Sequence, residues 1–389
     1  MKKILTLIVI VFSVFSVLTA CGGKASDNTA AGAATATAGA STSAGAAASS
    51  SGSPSETTGG KKLKVAFVYA TPIGETGWNY EMDRGRLALE KELGVETMAM
   101  DNVAESDAGR VFEDLAQKYD VIFGTTFGYM DAMNAAAEKH PDVKFLHATG
   151  YKTLPNLGVY AGREYQSNYL VGMAAGMVSK NGKLGYVGTF PIPEVISAIN
   201  AFALGAQSVN PNAQVSVVWS NTWFDPTTEK QAADSLLDTG VDVLAAYHDA
   251  PTILQASAER GVWGSGKDSD MSKYAPDTYL TNFVWNWTPY FVETVRAIQD
   301  GTWQAGAYYG GMKEGVTDIA PLGKNVPQDV KDAVEAKKQE ILAGAFDVFA
   351  GPIKDQVGTE RAAKGKALTD EEILAMNWFV QGIQGKIES

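Results

Sequence analysis

Cysteine is almost missing from this chain: Cys21 is the only one among 389 residues, so no disulfide can form within it. Histidine is scarce as well. His140, His147 and His248 are the only three, none at metal-ligand spacing, and there is no His-Glu-x-x-His and no cysteine pair. A Gly-x-Ser-x-Gly nucleophile elbow and a full Gly-x-x-x-x-Gly-Lys-Ser/Thr phosphate loop are both absent, Gly261 to Lys267 having the spacing but Asp268 after it. An Asp-x-Asp pair, Asp268 and Asp270, is present, but such pairs are common in loops. The usual sequence supports for serine, zinc and phosphate chemistry are therefore lacking. The expectation is a binding protein with no catalytic residue, metal or cofactor.

Basic side chains are outnumbered, 32 against 44 acidic ones, for a formal charge of −12. That balance argues against nucleic acid, whose phosphates are held by Lys and Arg, and favours a ligand that is neutral or nearly so. Beyond the first twenty residues no uninterrupted apolar run reaches the length of a membrane helix. The first twenty themselves read as an address: Lys2 and Lys3, the run Ile4 to Leu18, then Leu18-Thr19-Ala20-Cys21. This segment resembles a bacterial lipoprotein signal, which implies a signal peptide over 1–20, cleavage before Cys21 and a lipid on it. Losing Lys2 and Lys3 leaves 30 basic side chains and a charge of −14. Residues 21–60 are dominated by Ala, Ser, Thr and Gly, a composition that cannot bury a core and reads as a tether. The expected location is extracytoplasmic, attached to the membrane through the lipid alone.

From Lys61 onward, apolar runs alternate with segments of helical period. The runs are Leu63 to Ala70, Val121 to Gly124, Val143 to Thr149, Leu184 to Thr189, Gln214 to Trp219, Val241 to Tyr247 and Tyr279 to Val284. Without polar alternation they read as strands covered on both faces, which predicts an α/β fold built on parallel sheets. Pro226 after Asp225, Pro251, and Pro191 with Pro193 mark helix starts. Pro327 to Leu342 and Thr369 to about Ile383 read as helices, with a short strand near Phe346 to Phe349. The length favours two lobes, set at 62–182 plus about 283–310, and 183–282 plus about 311–389.

Two tryptophans follow strands where open α/β sheets bind ligands. Trp78 lies in the loop Thr71 to Tyr80 and Trp223 in Ser220-Asn-Thr-Trp-Phe-Asp225-Pro226. Each either grips a flat ligand or packs in the core. Stacking on an aromatic face contributes roughly 1–3 kcal/mol per base, so a pair could hold a planar ring without any charge. Asp249 and Asp268 follow later strands and could accept N–H groups from such a ring, Asp249 having a turn or helix-start role as its alternative; Asp225 reads as a helix cap.

Several stretches resemble the basic membrane protein family of ABC-importer solute-binding lipoproteins. They are Val65-Ala-Phe-Val-Tyr-Ala-Thr-Pro with Gly77-Trp78-Asn79, Phe127-Gly128-Tyr129, Gly188 to Glu194, Thr222 to Pro226, Asp268 to Met271 and Trp285-Asn286-Trp287. The resemblance spans nearly all of 62–389. It implies the type I periplasmic-binding-protein fold, two α/β lobes joined by hinge segments. It also implies permease and ATPase partners and a purine ligand, with Trp78, Asn79, Phe127, Trp223, Asp249, Asp268, Trp285 and Asn286 around it. Where the family's nucleoside receptors carry Lys-Asn, this chain has Trp285-Asn286, which favours a free base such as adenine over a nucleoside. A monomer is expected. Riboflavin or a nucleoside in the same fold is the alternative ligand. A lipid-anchored nucleoside or glycoside hydrolase, or a signalling receptor or adhesin, is the alternative class.

Overall fold

A computed structural model describes residues 62–387, all within one compact unit. The expected signal peptide at 1–20, Cys21 and the tether to residue 60 lie outside the described residues. The first part of the chain runs β1 (Lys64–Val68), α1 (Trp78–Leu93), β2 (Glu96–Met100), α2 (Glu105–Ala116), β3 (Val121–Gly124), α3 (Met130–Lys139), β4 (Lys144–Ala148), β5 (Leu157–Gly162) and α4 (Glu164–Val178). It continues with β6 (Lys183–Gly188), α5 (Pro193–Val209), β7 (Gln214–Trp219), α6 (Pro226–Leu237), β8 (Val243–Ala246), α7 (Thr252–Glu259) and β9 (Trp263–Ser265). Then come β10 (Phe283–Trp285), α8 (Thr288–Gln299), β11 (Ala307–Gly310), β12 (Thr317–Ile319) and α9 (Gln328–Leu342). The end carries β13 (Ile353–Lys354), β14 (Glu360–Ala362), α10 (Asp370–Leu374) and β15 (Ile383–Gln384).

Two parallel sheets result, in the orders β2-β1-β3-β4-β5-β11 and β9-β8-β6-β7-β15. β3 is buried along its whole length and β1 at all but its first residue, as strands covered by helices on both faces must be. The chain crosses between the sheets three times: through α4, between β9 and β11, and after β11. In the first sheet the order reverses at β1 and β3, and in the second at β6, with β7 and β8 on its two sides. Such reversals open a crevice at the carboxyl ends of the strands. The loops carrying Trp78, Phe127, Trp223 and Asp249 leave from those ends.

α4 and α5 pack backbone to backbone, because Gly172 sits against the Phe202 carbonyl and Gly205 against the Tyr169 carbonyl, where no Cβ would fit. This contact joins the two sheets through a single hydrophobic core running from Phe67 and Phe123 to Phe202 and Val243.

The tail departs from its sequence reading. The predicted helix to Ile383 stops after Leu374, and Met376, Phe379 and Val380 are buried along an irregular segment that leads into β15 instead. Asn200 of α5 is the cause: its amide donates to the Trp378 carbonyl and its oxygen accepts from the Val380 N–H, pairing backbone groups a helix would have paired internally. No strand forms at Phe346 to Phe349. There Asp347 accepts from the Phe349 N–H in a side-chain-closed turn. The run Tyr279 to Val284 begins with an isolated bridge from Tyr279 to Gly264, and its strand starts only at Phe283, covering Phe283–Trp285 and paired antiparallel with β12. α7 begins at Thr252, so Pro251 marks the helix start from the cap position.

Candidate functional site

Trp78 opens α1 behind Gly77, which adopts φ +90 and lies so close to Asp249 that a Cβ would come within 2.9 Å of the aspartate Cβ. The indole N–H of Trp78 donates to the Thr125 carbonyl at 2.7 Å, which pins the ring to the end of β3. The ring stands nearly perpendicular to Trp285 and Trp287, with centroids 5.6 Å from each, while those two stack 5.0 Å apart. Asn79 is turned to another task. Its amide nitrogen donates to the carbonyl and hydroxyl of Thr71, holding the loop after β1 in place.

From the second sheet come Asp249, after β8, and Lys267 and Asp268, after β9. The buried Lys267 ammonium lies 2.8 Å from Asp249 Oδ1 and 2.7 Å from Asp268 Oδ2. Burial pulls this lysine down, but the two carboxylates more than offset it, and the group stays charged. For Asp268, burial outweighs the attraction of Lys267 and pushes the carboxyl up to about 7. Asp268 is fully buried and holds φ +68, an unusual backbone state for a residue with a side chain. It also accepts the Trp285 indole N–H at 2.9 Å. Thr76 donates to the Asp249 carbonyl and the Gly77 N–H to Ser269 Oγ, both at 3.3 Å. Trp78, Trp285, Asp249 and Asp268 thus form one continuous cluster where loops of the two sheets meet.

The other expected residues lie outside it. Trp223 is 41% exposed and leans on Phe190, centroids 5.2 Å apart. Its loop is set by Asp225, which caps α6 by accepting from the N–H groups of Thr227 and Thr228. Phe127 is exposed beside Tyr151. Asn286 is exposed, donates to the Gly315 carbonyl, and lines a groove of about 540 Å³ with Glu81, Arg84, Asp270, Trp285 and Trp287. That groove includes neither Trp223 nor Asp249 nor Lys267, so it adjoins the cluster without being its interior.

Four participants were missed in the sequence. Lys267 stands next to Asp268 in a loop whose local sequence carries no sign that the lysine will be buried. Tyr247 ends the apolar run of β8, its ring 4.7 Å beneath the Lys267 ammonium. Its hydroxyl lies 2.5 Å from Glu164 Oε1 and 3.1 Å from Glu194 Oε1. The only available signal was a charged residue at the first turn of each of two apolar helices. Nearby, His248 meets Ser220 Oγ at 2.7 Å, and burial holds its imidazole down to about 3, hence neutral.

Residues 62–348 match the profile of the Bmp family, described as ABC transporter substrate-binding protein, PnrA-like. The chain belongs to this family. A purine-binding protein of Brucella abortus (strain 2308) is 45% identical over 331 residues, 84% of this chain and 94% of that protein. A putative ABC transporter glucose-binding protein of Haloferax volcanii is 44% identical over 339 residues, 86% of this chain and 83% of that one. Among solved structures, an ABC transporter solute-binding protein of Conexibacter woesei superposes with a TM-score of 0.62 at 20% identity, over 73% of this chain and 98% of its own. One from Aeropyrum pernix K1 gives 0.64 at 19%, over 77% and 94%. These likenesses show the fold, of the type I periplasmic-binding-protein kind. As a Bmp-family substrate-binding protein it takes a small-molecule ligand outside the cytoplasm and works with an ABC permease and ATPase. No helix among the described residues is long and apolar enough to cross a membrane.

Proposed function

We propose that this Bmp-family protein captures a purine, a free base such as adenine in preference to a nucleoside, between two hinged lobes and delivers it to its permease. The lobes are 62–182 with about 283–310, and 183–282 with about 311–389. The carrying observation is the cluster of Trp78, Trp285, Asp249 and Asp268 at the meeting of the two sheet edges. Indole faces suit a flat heterocycle, and carboxylates suit its N–H edge. The name of the Brucella abortus relative supports the same ligand class. Trp285 spends its only donor on Asp268, which leaves it nothing to offer a ribose and supports a base over a nucleoside. Trp223, Phe127, Asn79 and Asn286 are proposed to join the ligand as the lobes move. Anchoring is proposed through a lipid on Cys21.

The name of the Haloferax volcanii relative favours a second reading, a sugar. A sugar ring also stacks on indoles but needs a partner for each hydroxyl, and this cluster has its polar atoms largely committed to one another. Titration calorimetry with adenine, guanine, adenosine, riboflavin and glucose separates the readings. Adenine is expected to bind tightest, and at one hundred times its Kd to stabilise the fold by about 2.7 kcal/mol. Heat from glucose with none from any purine would sink the proposal.

A further inference from the structure

Two carboxyl groups converge on the single hydroxyl of Tyr247. Glu164 opens α4 and is buried; Glu194 lies in the first turn of α5 and is partly exposed. A phenol has one hydrogen, so it can donate to only one of them. The other carboxyl either shares that hydrogen in a long three-centre bond or supplies a hydrogen of its own and is then a carboxylic acid. The electrostatics of the buried pair favour the second. Two ionised carboxylates there would set a lone pair against a lone pair in a buried space, at a cost of the kind that makes close carboxyl pairs share a proton.

Burial assigns the starting arrangement. Glu164, out of reach of water, is held well above the usual carboxylate range first by burial and then by Glu194. Burial raises Glu194 too, against the pull of Lys267. The other ionisable groups around the pair are Lys267, Asp268 and Asp249, with the phenols of Tyr186 and Tyr309, which burial keeps neutral. Among the described residues nothing bonds to the second carboxyl oxygen of Glu194. That residue follows Phe190, the neighbour of Trp223, by four positions in the chain and lies one phenol away from the Lys267 cluster.

We propose that Glu164, Tyr247 and Glu194 share one proton and form a relay that lets Glu194 present either a carboxylate or a carboxylic acid to a bound ligand. In one state Glu164 donates to the Tyr247 oxygen and Tyr247 donates to the Glu194 carboxylate. In the other the Glu164 hydrogen has passed to Tyr247 as the tyrosine's own passed to Glu194. Tyr247 is neutral in both, the total charge is unchanged, and no proton leaves the protein. Glu194 can then accept from an amino or ring N–H group, or donate to a ring nitrogen or carbonyl. That serves both amino- and oxo-substituted heterocycles. The ligand half of this inference rests on the purine reading; the shared proton does not.

The test uses the full-length protein at about pH 9, above the ionisation of Asp268. Infrared spectroscopy without ligand is expected to show an un-ionised carboxylic acid in wild type and to lose it in Glu164→Gln. Absence in wild type, or persistence in the variant, overturns the relay. Should Glu164→Gln not fold, Tyr247→Phe replaces it: the band must shift as the acid loses its partner, and an unmoved band overturns the relay. Calorimetry with adenine and hypoxanthine supplies the other arm. Glu194→Gln, which keeps a donor and an acceptor, is expected to bind within about threefold of wild type, and Glu194→Leu at least tenfold more weakly. Equal binding by Glu194→Leu overturns the ligand role. If wild type binds neither base, the purine reading and the ligand role fall together, while the infrared result still decides the shared proton.

Discussion

At the residue scale, Lys267 joins the two aspartates of the candidate site. It neutralises two carboxylates that would otherwise face each other, and one of them, Asp268, has no exposure to water. Removing one partner from a buried ion group leaves uncompensated charge, so Lys267→Met is expected to destabilise the fold by about 3–5 kcal/mol, read by urea unfolding. Little loss there would mean the aspartates take up protons cheaply. Trp223 makes the opposite case. It is 41% exposed, so Trp223→Ala should leave the melting temperature almost unchanged while weakening adenine binding by about 1–3 kcal/mol, read by calorimetry. Unchanged affinity would remove Trp223 from the ligand's surroundings. Tryptophan and aspartate stand out in a sequence as binding chemistry. A lysine among surface lysines does not, because nothing local announces that Lys267 will be buried.

At the scale of the element, loops at strand ends and the helices after them carry the site. α6 starts where Asp225 and Pro226 say it should, and this cap also sets the loop that presents Trp223. Asp225→Ala is expected to cost about 1 kcal/mol of stability in chemical denaturation. The start of α1 works differently. Gly77 brings it against Asp249 at a φ that side chains rarely adopt, so Gly77→Ala should strain the backbone by on the order of 1–3 kcal/mol and push the two loops apart. Small-angle scattering should then report a larger radius of gyration, and an unchanged one would show that the contact does not hold the halves together. Strand and helix alternation was legible because burial on both faces writes itself as unbroken apolar runs. The short tail elements were not, since Asn200 reaches them from far along the chain.

At the scale of the whole molecule, buried ionisable groups set the response to pH. Burial pushes Glu81 and Asp268 up to about 7, against Arg84 and Lys267 respectively. Between an unfolded value near 4 and that folded value the native state holds a proton that the unfolded chain has released, so each group makes stability fall as pH rises. His248, held down to about 3, acts the other way: the unfolded imidazole takes up a proton below about 6.5, and stability falls with acid. The two trends oppose each other on the acid side, and only the carboxyls act between about pH 6.5 and 7. Unfolding free energy is expected to decline across that interval, by at most about 1.4 kcal/mol per pH unit for each proton, and Glu81→Gln should lessen the decline. A rise there would contradict the assignment. Composition and the order of apolar runs determined by themselves the α/β class, the ring-bearing loops and the lack of familiar catalytic motifs, and short stretches such as Gly77-Trp78-Asn79 and Trp285-Asn286-Trp287 carried the resemblance to the family, because these depend on residue type and local spacing. Only the tertiary structure decided that Trp78 meets Trp285, that one lysine serves two aspartates, and that two glutamates reach a single phenol. Apart from the neighbours Lys267 and Asp268, those pairings join residues 18 to 207 positions apart, and burial and electrostatic partnership come into being only when the folded chain brings them together.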